Sequence, residues 1–279
     1  MRIISFNING IRARLHQLEA LRDHQKPDIL CLQEIKVHDD MYPHPAVETA
    51  SGFGSVTHGQ KGHYGVATLT AAPPRFVQRG FSSDTEDDQR RLIITHHPLT
   101  DGRHLTVING YFPQGENVSH DTKWPAKRKF YADLTHWLKT EAKPDDLIVI
   151  LGDFNIAPVD EDIGIGDKNA QRWLREGKSA FQPEERAWFE TLRAWGLTDS
   201  YRHLYPDTND RFSWFDYRSR GFDDDPKRGL RIDHIMVSQP LVPLILDAGI
   251  DYDTRGLEKP SDHAPVWLDL DVSLAGLSM

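Results

Sequence analysis

The sequence predicts an α/β protein, a four-layer α/β sandwich of two packed mixed β-sheets flanked by helices. Three observations lead there. Strand-like segments outnumber helical ones, helical segments occur in both halves of the 279-residue chain, and no stretch between them reads as a linker or a repeat.

The strand-like segments are 2–6 (RIISF), 28–33 (DILCLQ), 64–70 (YGVATLT), 91–97 (RLIITHH), 104–111 (HLTVINGY), 147–151 (LIVIL), 230–237 (LRIDHIMV) and 265–271 (PVWLDLD). Between them, 14–24 carries Leu15, Leu18 and Leu21 on one side, and 126–140 carries Phe130, Leu134, Trp137 and Leu138. Residues 184–195 carry Trp188, Phe189, Leu192 and Trp195, so all three read as amphipathic helices with their aromatics in the core. The run 147–151 has no polar member, as in a strand covered on both faces. Gly152 then lets the backbone turn, delivering Asp153 and Asn155 with Phe154 directed back to the core.

Composition excludes several classes. The apolar runs are too short to span a bilayer, and the N-terminal MRIISFN reads as a strand and not as a signal peptide. Cys31 is the only cysteine, so no intramolecular disulfide forms; it reads as a core residue of a protein in a reducing, cytoplasmic setting. The net charge of −9 argues weakly against a nucleic-acid partner, but acids that hold a divalent cation reverse the local sign.

The chemistry gathers at strand ends. Asn7, Glu34, Tyr111, Asp153, Asn155, Asp262 and His263 each flank an apolar strand, and Asp233 interrupts one. Singly, these have plain structural readings: a turn Asn in NING, a surface acid, an interface aromatic, an Asx-turn in GDFN, a loop in PSDHAP. An acid inside an apolar strand needs a partner, however, and strand ends line up along a sheet rim where such side chains can converge. Oxygen donors without thiolates select a hard cation, Mg²⁺ or Mn²⁺. No P-loop, GxGxxG motif or nucleophile elbow is present, and Ser261 directly precedes Asp262, against a Ser-His-Asp triad. GQKGHYGV, with Lys61, could bring backbone amides to a phosphate. A divalent cation, a carboxylate base and a His⁺ or Tyr donor suit phosphodiester hydrolysis.

The set NING, LQE, GYFPQG, GDFN, RFSWFDYRSRGFDD, GLRID and KPSDHAPVW resembles the exonuclease III group. That group forms part of the abasic-site endonuclease branch of the Mg²⁺-dependent exonuclease–endonuclease–phosphatase superfamily. WGLTDSYRHLYP and FSWFDYRS resemble the DNA-repair branch, and DIGIGDKNAQRWLREGK its exonuclease III group. The resemblance implies one catalytic domain over 1–270 and a monomer acting on double-stranded DNA with abasic sites, nicks or 3′ ends; the extension over 271–279 departs from the family and reads as a short frayed tail. It implies 3′→5′ exonuclease, incision 5′ to abasic sites, and removal of 3′ blocking groups.

The resemblance also implies roles. Glu34 is the principal Mg²⁺ ligand, with Asn7, Asp153, Asn155, Asp262 and His263 as further candidate ligands. Asp153 aligns or deprotonates the attacking water, and Asn155 fixes the phosphate and that water. His263 binds a phosphoryl oxygen with its ring held by Asp233. Tyr111 is a donor near the phosphate, and the proton for the departing O3′ comes from Tyr111 or from a water on the metal. Trp214, Leu230 and Ile232 form the apolar pocket for a base-less deoxyribose. Lys61, Tyr64, Arg91 and Gln114 correspond to backbone-contacting positions. The segment FDDDPKRG departs from the family by its greater length. Two rivals are a lipid or inositol phosphoesterase on the same scaffold and a catalytically silent DNA-binding module.

Overall fold

Leu147 to Leu151 show how the chain builds its layers. In the computed structural model, which describes residues 1–276, Val149 and Leu151 pack between two sheets. Ile148 and Ile150 point the other way, under helices. Both faces are covered, so the period-2 strand reads as an unbroken apolar run.

One sheet contains β1 (Arg2–Asn7), β2 (Ile29–Gln33), β3 (Gly54–His58), β4 (Val66–Thr70), β11 (Ile245–Ile250) and β12 (Val266–Leu270). Their spatial order is β11-β12-β1-β2-β4-β3. The second contains β5 (Phe76–Arg79), β6 (Leu92–Pro98), β7 (His104–Tyr111), β8 (Ile148–Asp153), β9 (Leu197–Asp199) and β10 (Asp233–Ser238), in the order β5-β6-β7-β8-β10-β9. Only β1–β2 and β7–β8 run parallel, so both sheets are mixed. Ile3, Ile29, Cys31, Val107, Val149, Leu151, Ile235 and Leu268 fill the space between them.

The helices are α1 (Leu15–Ala20), α2 (His44–Ser51), α3 (Lys123–Thr140), α4 (Asp167–Glu176), α5 (Pro183–Trp195), α6 (Ser200–Leu204) and α7 (Tyr252–Arg255). α1, α2 and the turn after α1 cover the first sheet through Leu18, Leu21 and Val47. α3 and α5 cover the second through Phe130, Leu134, Leu138, Phe189 and Leu192. All eight expected strands and three expected helices form, with shifted ends. The four strands that the apolar pattern does not reveal, β3, β5, β9 and β11, are the four sheet edges. They are short or partly solvated and have no apolar run to display.

Two expectations change. Gly152 does not turn the chain: it lies inside β8, where a Cβ would fall 1.8 Å from the Gly110 carbonyl oxygen of β7. Its φ of 140° and that close approach require glycine. The tail does not fray over residues 271–276, because Leu274 bridges Leu99, and the Thr100 N–H donates to the Ser273 carbonyl at 3.0 Å. Residues 277–279 lie outside the described residues. Among those described, no helix is long and apolar enough to cross a membrane.

Candidate active site

Topology assembles the site. β7 and β8 are parallel and β10 is antiparallel to β8, so the ends of the first two and the start of the third coincide. Tyr111 pairs with Asp153, and Asp153 with Asp233. Asp233 is therefore the first residue of its strand and not an interruption of one. In the facing sheet, the ends of β1 and β2 bring Asn7 and Glu34 to the same rim. Asp262 and His263, just before antiparallel β12, arrive beside them.

Glu34, Tyr111, Gln114, Asp153, Asn155, Trp214, Leu230, Ile232, Asp262 and His263 line one cavity of about 190 Å³. Asn7 and Asp233 stand behind it. The Asn7 amide donates to Asp153 Oδ2 at 3.0 Å, and His263 Nδ1 lies 2.8 Å from Asp233 Oδ2. Across the ring, His263 Nε2 is 3.7 Å from Asp153 Oδ2. Asp153 Oδ1 accepts the Asn155 backbone N–H at 3.0 Å. Tyr111 donates its hydroxyl to Glu34, whose other oxygen lies 3.3 Å from Lys36 Nζ. Asp262 accepts from the Trp214 indole N–H at 3.1 Å and from the Asn9 amide at 2.8 Å. The Trp214 backbone exchanges hydrogen bonds with Leu230, closing the apolar wall.

Two functional side chains rest on uncommon backbone. Glu34 and Asn155 have φ of 51° and 53°. Such left-handed geometry costs a non-glycine residue on the order of 1 kcal/mol or more and persists only where surrounding bonds hold it. Phe154, between Asp153 and Asn155, is fully buried and stacks on Phe112 at 4.1 Å.

The electrostatics favour a retained proton. Burial, with Asp233 nearby, raises the Asp153 carboxyl above the usual range, against the attraction of His263. Burial alone would neutralise His263, but Asp233 and then Asp153 overcome it and push the ring up to about 10. Without a metal, such an imidazolium is a hydrogen-bond donor at both ring nitrogens. Burial and the neighbouring Glu34 raise the Tyr111 phenol well above its usual value, keeping it a neutral donor.

The remaining expected residues stand at the margin. Arg91, buried, lies 4.6 Å from the centres of both the Tyr64 and Tyr111 rings and donates to the Tyr111 carbonyl at 3.0 Å. Tyr64 packs with Tyr111 and does not line the cavity, and Lys61 is exposed on the β3–β4 loop outside it. The sequence reading missed Trp173, Ser179 and Ala180, which complete the lining. Trp173 lies on α4, where it and Ala170 pack against Ala180, Phe181 and Leu230, and their three-residue spacing is the signal that could have found it. The longer segment 222–229 folds back on itself, with Arg228 N–H donating to the Gly221 carbonyl at 2.9 Å and Lys227 Nζ 4.1 Å from the Phe222 ring centre.

Among the described residues, Asp153, Asp233 and His263 form the one cluster of three acidic or histidine donors, with ligand atoms within 4.8 Å of one another. Glu34 and Asp262 add carboxylates, and Asn7 and Asn155 amide oxygens, on the same rim. The oxygens on this rim, with one imidazole nitrogen and no thiolate, fit a hard divalent cation.

Two packed sheets carrying such donors beside a His–Asp pair define a metal-dependent phosphoesterase. Residues 4–263 match the Endonuclease/Exonuclease/phosphatase family, and the chain belongs to it. The chain is 57% identical to exodeoxyribonuclease III of Haemophilus influenzae over 269 residues, covering 96% of this chain and 99% of that one. Among solved structures it is similar to a Neisseria 3′ phosphatase bound to a product DNA hairpin, with TM-score 0.86 and 37% identity over 97% of this chain and 99% of that one. It is also similar to an AP endonuclease from Archaeoglobus fulgidus, with TM-score 0.86 and 31% identity over 98% of this chain and 100% of that one.

Proposed function

We propose that the chain is a DNA repair nuclease that uses Mg²⁺, or Mn²⁺ in its place, to hydrolyse phosphodiesters of duplex DNA. Its expected reactions are 3′→5′ removal of nucleotides, incision 5′ to abasic sites and removal of 3′ phosphates or other blocking groups. The observation that carries this reading is one cavity with two unlike walls. One wall is the Asp233–His263–Asp153 chain with Glu34, and the other is Trp214, Leu230 and Ile232. A phosphate fits the first wall, and a sugar without its base fits the second. The names of the similar proteins, which include a 3′ phosphatase and an AP endonuclease, point the same way.

In this reading Asp153, held by Asn7 and by the Asn155 N–H, orients the attacking water and takes its proton, a task suited to a carboxyl with a raised pKa. His263, fixed by Asp233, donates from Nε2 to a phosphoryl oxygen. Asn155 orients the phosphate. Tyr111, kept neutral, would donate to the departing O3′ once its hydroxyl turns away from Glu34. Glu34, Asn7, Asp262 and the free lone pairs of Asp153 would hold the cation, which when bound supplies positive charge to the phosphate and its transition state.

Outside the cavity, α4 presents Lys168, Arg172 and Arg175 at helical spacing, all exposed and without ion pairs among the described residues. In a chain of net charge −9, this basic face beside Trp173 suits the backbone of a DNA duplex. The protein is expected to act as a monomer in the cytoplasm.

The test is a duplex carrying one abasic analogue, incubated with Mg²⁺ and with EDTA. Cutting at the analogue that EDTA abolishes is expected. Binding without cutting under either condition would leave a silent DNA-binding module, and turnover only of inositol or lipid phosphates would move the chain to that branch.

A further inference from the structure

Asn155 owes its position to residues that do not line the cavity. After Asp153 the chain leaves the β8 ladder, and the carbonyls of Phe154, Asn155 and Ile156 turn into the protein. Each meets one buried side chain. Tyr131 Oη donates to the Phe154 carbonyl at 2.7 Å, Lys127 Nζ to the Asn155 carbonyl at 2.8 Å, and His234 Nε2 lies 2.8 Å from the Ile156 oxygen. All three side chains are at most 2% exposed. Lys127 and Tyr131 sit one turn apart on α3, and His234 follows Asp233 on β10. The Arg231 guanidinium lies 3.0 Å from His234 Nδ1 and has only protons to give, so that nitrogen accepts and Nε2 carries the proton.

Lys127 reaches furthest. Its ammonium also donates to the Gln114 carbonyl at 3.3 Å and pairs with the fully buried Glu185. Glu185 in turn accepts the backbone N–H groups of Ala180, at 2.9 Å, and Gln182, at 2.7 Å. One buried ion pair thus ties together three segments that border the cavity through Gln114, Asn155 and Ala180. Three successive buried carbonyls without donors would be costly, so this cradle decides where the backbone runs and holds Asn155 at its left-handed φ.

We propose that Lys127, supported by Tyr131 and His234, is a positioning residue for the reaction: it holds the Asn155 carbonyl so that the Asn155 amide and the Asp153 carboxylate keep their geometry. None of the three touches the reacting atoms. The kinetic arm of the test rests on the nuclease reading, and the spectroscopic arm does not.

In single- and multiple-turnover cleavage of an abasic duplex, Lys127→Met should lower kcat by about tenfold to a hundredfold, with KM within about twofold of the parent. Lys127→Arg, which keeps a charged donor, should recover part of the loss. Tyr131→Phe removes one hydroxyl without changing shape and should lower kcat several-fold, which keeps the test open if Lys127→Met fails to fold. In the metal-free protein, NMR should show the Asn155 side-chain amide displaced in Lys127→Met and in Tyr131→Phe, with the Gln25 amide unmoved. A lower melting temperature with unchanged kcat and an unmoved Asn155 amide would reduce the cradle to a structural feature and overturn the proposal. If the parent does not cut DNA, the nuclease reading fails, and the amide shifts alone decide the cradle.

Discussion

Two buried charge clusters lie two residues apart on the same segment, and they are built to opposite ends. Around Arg231, the guanidinium bonds Asp162 at 2.6 and 3.1 Å and Asp199 at 2.6 and 3.2 Å, and Arg202 adds a second cation to Asp162. Burial works against the charged form of Asp199, yet Arg231 holds it far below the usual range. Around Asp233, two carboxylates share one imidazole, and Asp233 Oδ1 has no partner. There burial raises Asp153. The first cluster surrounds its two acids with two guanidinium groups. The second has one imidazole for two acids, which leaves the Asp153 carboxylate suited to take up a proton.

Removing the proposed base should have the largest effect. Asp153→Asn should lower the single-turnover cleavage rate by roughly 100- to 10,000-fold, with DNA affinity by gel shift largely kept. An undiminished rate would remove Asp153 from the mechanism. The inert cluster should answer in stability instead. Arg231→Met leaves Asp162 and Asp199 buried without their shared cation, and should cost about 3–5 kcal/mol in urea unfolding. A loss under about 1 kcal/mol would mean that Arg202 suffices, and the contrast between the clusters would weaken.

The pH dependence separates the clusters further. In the metal-free protein, the His263 ring should remain protonated until about pH 10. Its folded pKa lies above the ordinary 6.5, so its contribution to stability is complete below about pH 6.5 and is lost as pH rises toward 10. Asp233→Asn removes the main partner and should move the ring's NMR titration to lower pH, with a smaller loss of kcat than in Asp153→Asn. An unmoved titration would show that Asp153 alone sets the charge. The smallest effect concerns solvated charge. Replacing Lys168, Arg172 and Arg175 together by alanine should reduce the slope of log affinity against log salt by about 2.7, if each meets one phosphate of duplex DNA. Cutting at low salt should barely change.

Much of this was legible before any coordinates. LIVIL announced a strand buried on both faces, and Asn7, Glu34, Tyr111, Asp153 and His263 announced themselves by ending or flanking such strands. What escaped has a common cause. Edge strands β3, β5, β9 and β11 bury one face or less, so they leave no periodic apolar trace. Gly152 looked like a turn because its actual reason, the carbonyl of Gly110, lies on another strand. Nothing local to the sequence marks Lys127 or Glu185 as buried, although both are fully enclosed.

The sequence by itself determined the layers and the chemical types at the site, because strand periodicity and donor hardness are properties of residues in order. Only the tertiary structure decided which acids keep a proton and which side chains hold Asn155. Both depend on burial and on charges within a few ångströms, and residues such as Asp233 and His263, or Lys127 and Glu185, become neighbours only when the sheets and helices close around them.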